Sequence, residues 1–252
     1  MYTTCPECGY HRQPTDTHCK DECPGCGLIF SKWLSKLVEE QGLGDSPQSK
    51  ATSRVSRTFL GRFLFSPRTS ISKIELITYL VIWVVFVAWG ISFVLMDYQS
   101  NEIGRSWFHN VDLIFHEAGH VIFQPFGRTM MILGGSLFQV LLPLILMLAF
   151  LIKNRDGFAA SICLWWSGQS LMDVAPYIAD ASVLLRLPLL GGGTGADSPG
   201  MHDWANLLRP RGWLQYDQQI AFVVDFVGSG VLLMALAWGG FMLYLYYKQS
   251  IA

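Results

Sequence analysis

Charge is scarce in this chain. Asp, Glu, Lys and Arg make up 15% of its 252 residues, against about 25% in an ordinary soluble domain. Hydrophobic residues reach 51% and mean hydropathy is positive, at +0.33. So little charge excludes a well-solvated globular surface and points to a membrane protein. The net charge of −1 argues against nucleic acid as a partner, because that binding depends on bulk positive charge. Cysteine nearly vanishes after Cys26: five of the six lie between Cys5 and Cys26, and Cys163 stands alone in an apolar segment. That distribution excludes a disulfide-laced secreted fold and suggests a metal module at one end. The opening MYTTCPECGY lacks the apolar stretch behind a basic end that marks a signal peptide. No internal repeat or low-complexity tract is present.

What is there begins with two C-P-x-C-G knuckles, Cys5-Pro6-Glu7-Cys8-Gly9 and Cys23-Pro24-Gly25-Cys26-Gly27. In such a turn the glycine relieves strain and frees backbone amides to face the thiolates. Cys5, Cys8, Cys23 and Cys26 supply four sulfurs, enough for a closed tetrahedral zinc site. Residues 1–30 hold too few apolar side chains for a core, so the metal would hold the module together. Cys19, His18 and His11 are spare, and disulfide pairing is the alternative use of the cysteines. The segment resembles the short zinc ribbons that precede bacterial membrane proteins, down to Gly27-Leu28-Ile29-Phe30. A ribbon of this kind is a candidate docking module for a cytosolic protein.

Residues 31–73 read as a short helix (Trp33, Leu34, Leu37, Val38), a Gly/Ser/Gln/Thr-rich linker, and a basic juxtamembrane stretch. Arg54, Arg57, Arg62, Arg68 and Lys73, interleaved with Phe59, Phe63 and Phe65, suit an anionic bilayer surface. From residue 74 onward the hydropathy predicts an all-α polytopic domain with about five transmembrane helices. The spans run over Ile74–Met96, Trp107–Phe126, Met130–Ile152, Phe158–Leu187 and Ile220–Tyr246, long enough for about 30 Å of hydrocarbon. Basic residues before the first span, and thiols that must stay reduced, both put the N-terminus in the cytoplasm.

The second span carries His116-Glu117-Ala118-Gly119-His120, an H-E-x-x-H. One helical turn separates the imidazoles, so both can bind one metal ion. Glu117 is then the catalytic base, close enough to take a proton from water beside the metal. Asp112 shares the histidine stripe and is either a partner that orients an imidazole or a charge at the helix end. Gly134-Gly135-Ser136 opens the third span, where Gln139 is either a substrate contact or an interhelical hydrogen bond. The fourth span bears Asp173, Tyr177 and Asp180 on one face and a kinking Pro176; carboxylates in a membrane helix need a reason to be there. The polar loop that follows holds His202-Asp203-Trp204, suggestive of a rim to the metal cavity.

H-E-A-G-H in a membrane helix, then Gly134-Gly135-Ser136 with Gln139 and Pro143, then an Asp-bearing helix, resembles the site-2-type intramembrane zinc metalloproteases. The likeness covers roughly Val111 to Asp180. It implies a zinc-dependent endopeptidase of the bacterial inner (cytoplasmic) membrane, acting on a membrane-protein substrate within the lipid bilayer. It implies two Zn2+ ions, one catalytic and one in the ribbon. It also implies an aspartate as third ligand beside His116 and His120. Asp180 is preferred because the Pro176 kink would turn its helix end toward the metal; Asp173 is the runner-up and His202 a distant third. Neither aspartate is followed by the glycine usual in that family. Tyr177 shares the Asp180 face as a further substrate contact. The alternative from another class is a non-catalytic membrane scaffold whose ribbon recruits a partner.

Overall fold

The structure, a computed structural model, describes residues 3–13, 16, 21–40, 64–65, 71–185, 187–188, 193–198 and 200–250. The spare Cys19 and His18, the linker, and Arg54, Arg57, Arg62 and Arg68 of the basic stretch lie outside these residues. The chain divides into two compact units, Met1–Phe59 and Leu60–Ala252.

In the first unit each cysteine knuckle is a tight turn closed by backbone bonds. The Gly9 amide donates to Cys5 O at 2.9 Å and the Gly27 amide to Cys23 O at 2.8 Å. Both glycines take positive φ, +72° and +73°, which costs glycine nothing. Isolated bridges, Thr4 with His11 and Glu22 with Ile29, close the two turns. His11 is occupied by Thr4, whose hydroxyl lies 3.0 Å from its Nδ1. Helix α1 (Phe30–Glu40) follows, with Phe30 buried against Cys5 and Cys23.

The second unit is helical throughout, with no strand among its described residues. Its helices are α2 (Lys73–Val94), α3 (Trp107–Phe123), α4 (Arg128–Ala149), α5 (Gly157–Ala179), α6 (Asp203–Leu208) and α7 (Asp217–Ser250). Their starts are written in the sequence. Ser72 and Glu75 form a reciprocal capping box on α2, at 3.2 and 2.8 Å. Ser106 caps α3, Asp156 caps α5, and the His202 ring caps α6 by accepting from the Ala205 amide. Each cap satisfies one of the amides a helix start leaves open.

Three helical stretches are long and apolar enough to cross a membrane: Lys73–Val94, Arg128–Asn154 and Leu214–Ser250. The expected second and fourth spans are helices too, but of another character. Helix α3 has only 17 residues, and 17 of the 23 residues of α5 are buried inside the protein. Polar side chains are therefore tolerated in α5, because it meets other helices instead of lipid. An aromatic core fixes the bundle: Trp165 of α5 is buried among Phe86, Trp89 and Phe93 of α2 and Phe108 of α3. Trp83 ties α2 to α7 through a 3.0 Å bond to Leu236 O. Pro176 lies within α5, which runs on to Ala179 and ends there.

Candidate metal centre

Helices α3 and α4 meet backbone to backbone at Gly119 and Gly134. A Cβ added to Gly119 would collide with the Gly134 carbonyl, and one on Gly134 would lie 2.6 Å from Phe123 Cβ. A Cβ on Gly135 would come within 2.5 Å of His116 Nε2 and 2.7 Å of His120 Cε1. The Gly134-Gly135 pair thus lets the histidine face of α3 lie directly on the α4 backbone.

Both imidazoles are held from behind. His120 Nδ1 lies 2.8 Å from Met131 O, which can only accept, so this nitrogen carries the proton. His116 Nδ1 lies 3.1 Å from Gln139 Oε1. The Gln139 amide is turned this way because its Nε2 donates to Asp173 Oδ2 at 3.1 Å and toward Ser170 O at 3.4 Å. With Nδ1 the donor in each ring, Nε2 is the nitrogen that faces the centre.

Those two Nε2 atoms meet one carboxylate oxygen. Asp203 Oδ2 is 3.1 Å from His116 Nε2 and 3.2 Å from His120 Nε2. Three lone pairs this close repel one another unless positive charge sits among them, as protons on the rings or as one metal ion. Bonds of about 2.0–2.1 Å at tetrahedral angles put ligand atoms about 3.3–3.4 Å apart, so these spacings suit a small divalent ion. His116, His120 and Asp203 form a group able to hold a metal ion. Burial works against an ionised Asp203, yet hydrogen bonds to the two imidazoles hold its carboxyl below the usual carboxylate range.

Asp203 reaches the histidines on α6, outside the long helices. Its amide donates to Tyr177 Oη at 3.0 Å, and Trp204 Nε1 donates to Ser136 Oγ at 3.1 Å. These bonds pin α6 to α5 and α4. The third-ligand expectation is accordingly corrected: the structure brings Asp203 to the pair, and neither Asp180, Asp173 nor His202. Asp180 caps the end of α5, and its carboxylate folds back to accept from the Leu185 and Leu187 amides, each at 3.3 Å. Asp173 accepts from Gln139 and from His109, whose Nδ1 lies 2.9 and 3.1 Å from its two oxygens. His202 is spent on its cap, its ring 3.7 Å from Asp180.

The other expectations divide. Asp112 is fully buried but takes its bonds from Trp166 Nε1 at 2.8 Å and Ser170 Oγ at 3.3 Å, not from an imidazole. Asp112 is thus neither an imidazole partner nor a charge at the helix end but a buried acceptor, and Gln139 is the residue that orients His116. Tyr177 stands with its ring 6.0 Å from that of His116. Glu117 lines a cavity of about 690 Å3 together with His116, His120, His109, Tyr177 and Asp203. Sequence reasoning missed Asp203 and His109. In the sequence His202-Asp203-Trp204 reads as a rim and His202 as a distant candidate ligand; in the structure Asp203 is the member that meets the two imidazoles.

The four thiols of the first unit converge as well. Cys5 and Cys26 sulfurs lie 3.7 Å apart, as do those of Cys8 and Cys23. Tetrahedral zinc thiolates, with bonds of about 2.3 Å, have edges of about 3.8 Å. All four are free thiols, which sets aside the disulfide alternative. Burial opposes ionisation of Cys5, but the amides of Cys8 and Glu7 bring its thiol down to about 7. The Leu28 amide favours the Cys26 thiolate, yet the neighbouring sulfurs outweigh it and push Cys26 up to about 12.

No protein-family model, curated protein or solved structure matches the chain.

Proposed function

We propose that the protein is a zinc-dependent intramembrane endopeptidase that hydrolyses a peptide bond of a membrane protein. The observation that carries this reading is the meeting of both Nε2 atoms of an H-E-x-x-H with a carboxylate oxygen, in a cavity that Glu117 also lines. His116, His120 and Asp203 would hold the ion, leaving the fourth tetrahedral position open. Bound there, zinc supplies Lewis-acid polarisation of a carbonyl and lowers the pKa of water to about 7. Glu117 takes the proton of the attacking water as its oxygen adds to the peptide carbonyl. The same carboxyl then gives that proton to the departing amine nitrogen as the C–N bond breaks. Nothing in a purely structural metal site requires Glu117.

In this reading α3 and α5 complete a five-span bundle, sheltered by the three more apolar helices. The cytoplasmic side holds the N-terminus and the α6 loop, and the membrane is a bacterial inner membrane. Cys5, Cys8, Cys23 and Cys26 form a zinc ribbon that meets a cytosolic protein.

Metal analysis of the purified chain tests it. Wild type should hold two zinc ions, His116→Ala one, and a Cys5/Cys8 double substitution the other one. Glu117→Gln should keep both ions, and uncleaved membrane proteins should accumulate in cells that carry it in place of wild type. Zinc found only in the cysteine site, or identical membrane proteomes, would reject the endopeptidase reading.

A further inference from the structure

Two turns before His116 on α3, His109 lines the same cavity, and its side chain is 34% exposed. Its Nδ1 is committed to the two oxygens of Asp173, at 2.9 and 3.1 Å. Asp173 itself is only 8% exposed, and its Oδ2 also accepts from Gln139 Nε2. A carboxylate already receiving one N–H can only accept from the ring, so Nδ1 of His109 is the donor. In its neutral form the ring has one group left to offer, the lone pair of Nε2, and no described residue is bonded to it. The arrangement continues unbroken from the centre: His116, Gln139, Asp173, His109. Each bond in this series fixes the direction of the next.

Seven residues of helix advance about 10 Å. An extended peptide advances about 3.3 Å per residue, so this spacing corresponds to about three residues. We propose that His109, held by Asp173, is a peptide-binding residue that accepts a backbone N–H of an unwound substrate segment about three residues from the scissile bond. The inference rests on the endopeptidase reading and names what that site recognises: a peptide already out of its helix, since a helical N–H is occupied. Asp173 is the positioning residue. It sets the tautomer that makes Nε2 an acceptor.

Three hydroxamates serve as probes with the cobalt-substituted full-length protein, binding being followed by its visible absorption. Acetohydroxamate reaches only the metal; the other two carry three leucines, one on the amino side and one on the carboxyl side. His109→Ala should leave acetohydroxamate affinity unchanged and weaken one of the leucine probes about fivefold, the size of one hydrogen bond. His109→Gln, whose amide oxygen is an acceptor, should recover part of that loss. Asp173→Asn should weaken the same leucine probe, because an amide there lets Nδ1 accept and moves the proton to Nε2. Equal binding of all three probes by wild type and His109→Ala would overturn the inference and leave the endopeptidase reading standing. A parallel loss for acetohydroxamate would overturn it too, by showing that His109 acts on the metal. Failure of every hydroxamate to perturb wild-type cobalt would overturn both.

Discussion

Replacing Gln139 should weaken metal binding by the His116, His120 and Asp203 group without changing Glu117 or any residue of that group. The Gln139 side chain is buried, accepts from His116 Nδ1 at 3.1 Å and donates to Asp173 at 3.1 Å. In Gln139→Ala the buried Nδ1–H loses its acceptor, and the ring is free to turn. Loss of such an outer partner typically lowers metal affinity about 10- to 100-fold, or about 1.4–2.7 kcal/mol. Gln139→Glu keeps an acceptor for His116 but sets two carboxylates face to face. At 3.1 Å and an effective dielectric of about 20, that repulsion is about 5 kcal/mol before any proton is taken up. Adding Asp173→Asn replaces the second charge with an amide that can donate to the new carboxylate. The double variant should therefore return to within a few-fold of wild type, on the same 10- to 100-fold scale of about 1.4–2.7 kcal/mol. The assay is zinc competition against a chromogenic chelator near neutral pH, in a background with Cys5 and Cys8 changed to Ser. Gln139→Ala within twofold of wild type, or a double variant no tighter than Gln139→Glu, would refute the reasoning.

Asp203→Asn should lose the ion bound with His116 and His120, whereas Asp180→Asn should keep it and lower thermal stability by about 1–3 kcal/mol as the Leu185 and Leu187 amides lose a charged acceptor; metal content and melting of the two proteins separate the cases, and the opposite pattern would contradict the geometry. In the cysteine site, Cys8 is raised and Cys26 lies at about 12, so these thiols are protonated at neutral pH and must ionise to bind metal. Zinc uptake should therefore release protons, and affinity should tighten as pH rises between about 6 and 8; calorimetry in two buffers of different ionisation enthalpy reads the release, and pH-independent binding would count against thiolate ligation.

The parts of the site that were legible in the sequence are those set by local spacing. His116 and His120 lie one turn apart in any helix, and the two knuckles fix four thiols within a few residues each. The choice of third ligand failed for a physical reason. A carboxylate in an apolar helix seemed to need a metal, but Asp180 is satisfied by amides beyond its own helix end and Asp173 by a histidine and an amide. Burial of charge signals that a partner exists, not which one. Asp203 lies in a polar loop where a carboxylate needs no explanation, and only its tertiary contacts with Tyr177 and Ser136, through its amide and Trp204, single it out. The His109–Asp173 pair joins positions 64 apart, a separation no periodicity encodes. The helices themselves were readable from apolarity. The distinction between lipid-facing α2 and the enclosed α5 was not, since apolar residues look alike whether they meet lipid or protein.

The position of Asp203 would make an ion held there a cross-link as well. His116 and Asp203 are 87 positions apart, so an ion binding only the folded arrangement would add its binding free energy to the closure of that long loop. Within the folded bundle a metal ion there would add to the bonds that already hold the described residues between Ala179 and Asp203, among them Ser182 to Asp217 at 3.0 Å and the Asp180 turn. Helix α6 is already seated by buried Ala205 and Leu208 and by the bonds to Tyr177 and Ser136, so the ion would tighten a contact that packing has formed.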